Sequence, residues 1–156
     1  MLCLMIIKTQ LGSSALADER LKTDCHNTLE KARLWIRATD FNAPEEEKTR
    51  VKSAINIANQ ACRLAKESAP DDGEVLVNSA YALFAAEKKK EAVKLIQEAS
   101  EIGYPPAMVM MARYLGQGKY MEKDSEGAWL LLIKTLKTKH DVAPVSYTHL
   151  TLPTKA

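Results

Sequence analysis

Little in this chain favours β structure: 156 residues include only two phenylalanines and two tryptophans, and six each of glycine and proline. Ala, Leu, Ile, Met, Glu and Lys dominate instead. These side chains keep rotamer freedom on a helix, so the fold class is read as all-α. Charge of one sign is equally scarce. With 22 Lys+Arg against 20 Asp+Glu the formal charge is +2, far from the clustered basic excess that grips a polyanion, so nucleic acid is not expected as a partner. Three cysteines and three histidines fall at no metal-ligand spacing, and neither a metal nor another cofactor is expected. Gly116 and Gly118 precede no strand–helix unit with a lysine that could cradle a phosphate. Cys25 and His26 are adjacent, and neighbouring helical side chains diverge by about 100°, so a nucleophile–base pair is not made there. Glu45, Glu46 and Glu47 fit a helix start, where negative charge meets the positive dipole end. The residues supply no catalytic set, and the chain reads as a non-enzyme. No apolar run is long enough to span a bilayer.

What is present fits one domain, since hydrophobic residues at 46% and charged residues at 27% are ordinary globular proportions. The two ends stand apart from it. Residues 1–17 read as a possible degenerate signal segment: Leu2 to Ile7 are apolar and Ala15-Leu16-Ala17 has the small-x-small form of a cleavage site. Lys8 and Gln10 cut the apolar core below the usual length of about 7 to 15 residues. A periplasmic or secreted location is favoured on this ground, with the cytoplasm as the alternative. At the other end, Val145 to Thr154 resembles, residue for residue, one reading frame of a transposon-end sequencing adapter. Residues 145–156 are therefore expected to be a non-native tail, and the repeats before them a truncated array.

Periodicity predicts six helices. The first runs from about Asp18 to Ala38, with Leu21, Cys25, Leu29, Ala32 and Ile36 on one face and Trp35 extending it. Asn42 looks like the cap of the second, with Pro44 and Glu45 completing a capping box; Val51, Ala54, Ile55, Ala58, Ala61, Cys62 and Ala65 form its stripe to about Ser68. Asp72 can cap a third carrying Val75, Leu76, Ala80, Leu83 and Phe84. A fourth carries Ala92, Leu95, Ile96, Ala99 and Ile102 and stops at Gly103, suited to a left-handed cap. Pro105 and Pro106 open a fifth with Ala107, Met110, Met111 and Tyr114 inside. Asp124 or Ser125 caps a sixth that buries Ala128, Leu131, Leu132 and Leu136. Short connections imply antiparallel neighbours, with residues 18–70 forming an N-terminal pair and 71–143 two further pairs.

The later helices also align with one another. Gly73, Val77 and Tyr81 match Ala107, Met111 and Leu115 at an offset of 34, and Ala92 matches Ala128 at 36. A turn two residues longer in the second unit would account for the difference. Gly103, Ala107, Met111, Gly118, Asp124 and Ala128, preceded by Ala92, Leu95 and Ala99, resemble the Sel-one-like repeat, a family of the tetratricopeptide-like superfamily. The pattern differs at Leu115, Tyr120, Met121 and Thr135, and Tyr120 stands where the turn's second glycine is usual. A plain tetratricopeptide-type pair therefore stays open. The resemblance implies a solenoid of stacked antiparallel helix pairs, wound as a right-handed α–α superhelix, and an adaptor or scaffold role.

Two kinds of residue carry the functional expectation. Cys25 and Cys62 sit on the inner faces of consecutive helices and could form a disulfide in an oxidising compartment, or remain buried thiols in the cytosol. Asn78, Tyr81, Arg113 and Tyr114 lie on the first helices of successive pairs and are the candidate surface for a protein or peptide partner; for both tyrosines, packing between helices is an equal alternative. A secreted hydrolase of β-lactamase-like type is the alternative function that the resemblance raises, without a serine–lysine constellation here to support it. A co-chaperone-like tetratricopeptide binder is another.

Overall fold

The computed structural model describes residues 2–40 and 42–137, with side chains described from residue 15 onward. The expected tail at 145–156 lies outside the described residues. Six helices follow in order: α1 (Leu2–Ala38), α2 (Glu45–Ser68), α3 (Gly73–Ala85), α4 (Lys89–Glu101), α5 (Pro105–Gln117) and α6 (Ser125–Lys137). Among the described residues there is no strand.

Local chemistry explains most of the boundaries. Asp72 caps α3 by accepting from the backbone N–H groups of Glu74 and Val75 at 3.0 and 3.1 Å, satisfying donors that a helix start leaves open. Gly103 takes φ +86° just beyond α4, a conformation that costs glycine little. Pro105 and Pro106 occupy the first turn of α5, and Gly118 ends it at φ 65°. Asp124 accepts from Gly127 N at 2.8 Å ahead of α6. Two expectations are corrected. Helix α1 begins at Leu2 rather than near Asp18. Asn42 is not the cap of α2: Pro44 holds that place at ψ 150° with no side-chain hydrogen bond, and Asn42 donates its backbone N–H to Asp40 Oδ1 instead.

Each sequential pair packs together, and α3 also touches α1 and α5, so α1, α3 and α5 form one layer. Small residues let the helices cross closely: Ala32, Ala65, Ala80, Ala92, Ala99, Ala107, Ala112 and Ala128 are all fully buried, and removing them from water drives the packing. Three apolar clusters result, one under α1, α2 and α3, one under α3, α4 and α5, and one between α5 and α6. Ile36, Ile102 and Leu136 kept the period yet are exposed, because each lies in or just beyond the last turn, where the stripe outruns its neighbour.

Burial also corrects the repeat register. The buried residues of α3 are Val75, Leu76, Val77, Ser79, Ala80 and Ala82; 32 positions on stand Ala107, Met108, Val109, Met111, Ala112 and Tyr114, all buried in α5. At the expected 34, Ser79 would match Arg113, which is exposed. Ala92, Ile96 and Ala99 still match Ala128, Leu132 and Thr135 at 36. The extra length lies in the turns: residues 86–88 join α3 to α4, whereas residues 118–124 join α5 to α6, a connection four residues longer rather than two. Thr135, where alanine is usual in the resembled pattern, tolerates burial because its hydroxyl donates to the carbonyl of Leu131 at 2.8 Å, so no polar atom is stranded.

Candidate partner-binding face

With the cores matched at 32, α3 and α5 each carry one stripe of residues that are not fully buried. On α3 these are Glu74, Asn78, Tyr81 and Ala85, and on α5 Pro106, Met110, Arg113 and Gln117, all half-buried or exposed. Tyr81 and Arg113 are thus equivalent positions, and so are Asn78 and Met110. The stripes meet, since the Tyr81 hydroxyl donates to Met110 Sδ at 3.5 Å. On the side of α1, the Arg33 guanidinium lies 4.2 Å from the Tyr81 ring centroid while holding Glu30 at 2.7 Å. A cation over an aromatic face is attracted by the ring quadrupole, which steers Tyr81 along the α1–α3 seam.

Asn78 lines a groove of about 260 Å³ between α1 and α3, together with Glu19, Lys22, Thr23, His26, Glu74 and Val75. Lys22, in its lining, pairs with Asp72 at 2.6 Å. The hydrogen bond to Asp72 raises the Lys22 ammonium above its ordinary value, against the opposing effect of burial. Burial alone would lift the Asp72 carboxyl, but Lys22 and the Val75 and Glu74 amides outweigh it and hold the carboxyl below its ordinary range. One carboxylate therefore caps α3 and ties α3 to α1. Asp18 and Ser68, hydrogen-bonded to each other, add a second polar tie beside it, between α1 and α2.

Tyr114 takes a different place from the other three candidates. It is buried, at the position equivalent to Ala82, and burial foremost pushes its phenol up to about 12. Its ring sits edge-on to Phe84 at 6.4 Å and to Tyr120 at 5.2 Å, so it is a packing residue and not a displayed one. Tyr120 adopts φ 70°, the backbone of a glycine at the position where the resembled turn has one, and its ring packs on Phe84 at 5.8 Å. Arg113 makes no ion pair with the described residues and stands open to solvent.

Cys25 and Cys62, both buried, are joined by a disulfide with Cα atoms 4.4 Å apart. The Ser79 hydroxyl donates to the Cys62 carbonyl at 3.2 Å, linking the bridged pair to α3. Among the described residues no three His, Cys, Asp or Glu side chains gather as a metal site, and no helix is long and apolar enough to cross a membrane.

No family model matches the chain, and neither does any curated protein or solved structure. The case for function thus rests on the residues. Glu19, Thr23, His26, Arg33 and Glu74 were not among the sequence candidates; the offset of 32 would have pointed to the α3 member, while the α1 members are revealed only by the contact between first helices.

Proposed function

We propose that the chain is a non-catalytic helical-repeat interaction module that binds a protein or peptide along the α1–α3–α5 face, as an adaptor or assembly scaffold. In this reading the hairpins follow a right-handed α–α superhelix of Sel-one-like type, and the first helices line its concave side. The observation that carries it is the matched stripe: where the buried positions of α3 and α5 superpose, Asn78 and Arg113 stay outside the apolar clusters, and Tyr81 lies between them, half-buried against two clusters. A surface repeated along a stack suits an extended partner, because each unit adds contacts at a fixed spacing. The left-handed backbone of Tyr120 supports the Sel-one-like turn, whereas the three-residue turn before α4 favours a plain tetratricopeptide-type pair for the earlier unit. The buried Cys25–Cys62 bond supports a periplasmic or secreted setting, where disulfides persist.

The test is a pull-down of a defined partner by Asn78→Ala/Arg113→Glu, with Lys94→Glu on the exposed side of α4 as control. Binding should fall about tenfold or more for the first and hold for the second, with both unfolding as the parent does. Equal binding by all three would remove the proposal, and turnover of nitrocefin by the parent would favour the hydrolase alternative.

A further inference from the structure

The α1–α2 hairpin has a second face. Thr28, Lys31 and Trp35 on α1 and Arg50, Ser53, Ala54 and Ile57 on α2 line a groove of about 270 Å³. Both sets recur at the spacing of one helix side. Arg33, which reaches Tyr81 of α3, lies five positions from Thr28 and two from both Lys31 and Trp35. At about 100° per residue that puts the groove on the flank turned away from α3. This flank is unusually apolar for a solvated one: Trp35 is 37% exposed, Ile57 54%, and Leu64, two turns further along α2, 40%. The two charged residues lining the groove are both basic. Lys31 has no ion-pair partner among the described residues, and Arg50 shares its guanidinium with Glu46 at 2.6 Å.

We propose that this groove docks an amphipathic helix of a partner protein, its aliphatic side chains seated on Trp35 and Ile57 and its acidic flank against Lys31 and Arg50. The hairpin already accepts a helix in this manner on its opposite flank, where α3 touches both α1 and α2. The groove offers ridges of the same spacing for a second one. Charge selects the occupant. A second copy of this chain docked about a two-fold axis would press Lys31 and Arg50 toward their own images, whereas carboxylates on the incoming helix complement them. The surface shares no residue with the α1–α3–α5 stripe, so the two stand or fall separately.

The chain has two tryptophans, and Trp129→Phe leaves Trp35 as a reporter inside the groove. The probe is a synthetic helix of about 20 residues with leucines on one side flanked by glutamates, compared with a twin carrying lysines in their place. The acidic helix should move Trp35 emission to shorter wavelength with saturation, and the lysine twin should bind about tenfold more weakly or worse. Lys31→Glu/Arg50→Glu should reverse that preference, and Ile57→Asp, at an exposed site, should abolish the shift while unfolding as the parent does. Equal binding of the two helices or an absent shift would overturn the proposal. So would a dimer in light scattering that Ile57→Asp dissolves, which would assign the face to a second copy.

Discussion

Opening the Cys25–Cys62 bond should lower the stability of the fold by about 4 kcal/mol. The bond spans a sequence separation of 37, and in the chain-entropy description a cross-link contributes about 3 kcal/mol for a loop of fifteen residues and about 4.7 for one of a hundred. A loop of this size falls between them. Reduction leaves two thiols that still fill their space as small hydrophobes, so the reduced protein isolates the loop contribution. Cys25→Ala/Cys62→Ala adds the loss of two buried sulfur atoms and should cost roughly 1 to 2 kcal/mol more. For a chain of this length each kcal/mol moves the midpoint by about 3 °C, so the reduced protein should melt roughly 10 to 15 °C lower. Thermal unfolding by far-ultraviolet circular dichroism, with and without reductant, reads this directly, and non-reducing peptide mapping verifies the starting state. A midpoint that shifts by less than about 2 °C when a mapped bond is reduced would show that closing this loop does not stabilise the fold. Free thiols at both positions in protein secreted through an oxidising compartment would refute the bond.

Three further outcomes follow from particular contacts. A Cβ at Gly73 would collide with Cβ and Cγ of Tyr104, so Gly73→Ala should cost about 2 kcal/mol, and combining it with Tyr104→Gly, which removes both atoms, should cost clearly less than the sum of the two; additivity in denaturant unfolding would contradict the clash. Tyr120 at φ 70° pits a left-handed strain of about 1 to 2 kcal/mol against two ring contacts worth about 0.5 to 1.5 kcal/mol each. Both Tyr120→Gly and Tyr120→Ala lose the rings but only the first relieves the strain, so the glycine variant should be the more stable by about 1 kcal/mol; the reverse order would show that the turn is not left-handed. Asp72→Asn keeps the cap and loses the ion pair to Lys22, a loss of about 0.5 to 1 kcal/mol at neutral pH for a pair that is about a third exposed. Because the folded Asp72 carboxyl lies below its ordinary value of 3.8, its contribution is complete above that pH and fades as pH falls through the folded value; a stability gap between parent and variant that persisted in strong acid would speak against the pair.

The parts of the fold that were legible in sequence are those fixed by local chemistry. Asp72, Gly103 and Pro105-Pro106 each solve a problem of one helix end, and the solution does not depend on what packs nearby. The Asn42 cap failed because Pro44 already brings the chain into α2 with its own carbonyl accepting from Glu47 and Lys48, leaving the side chain of Asn42 outside the first turn. The repeat register failed for a different reason. Helices α3 and α5 are buried on two flanks, Val75-Leu76-Val77 and Ala107-Met108-Val109 each facing two neighbours, so their apolar residues form no single stripe and period alone cannot fix the offset. The same ambiguity left Tyr114 open between packing and display in the sequence, and its burial beside an equivalent, Ala82, that is 1% exposed favours packing. Asn78, Tyr81 and Arg113 escape it because they fall in the gap between the two buried flanks. Their α1 neighbours Glu19, His26 and Arg33 are many residues away in sequence, joined only by the packing of one first helix on the next.

Site-specific photo-crosslinking locates the recognition surface: a benzophenone side chain is placed in turn at positions 78 and 113, and as controls at 94 and 97 on exposed positions of α4. If α1, α3 and α5 present the recognition surface, a single partner should be captured from both 78 and 113 and from neither control. Capture of that partner from 94 or 97, with none from 78 and 113, would place recognition on the second helices instead.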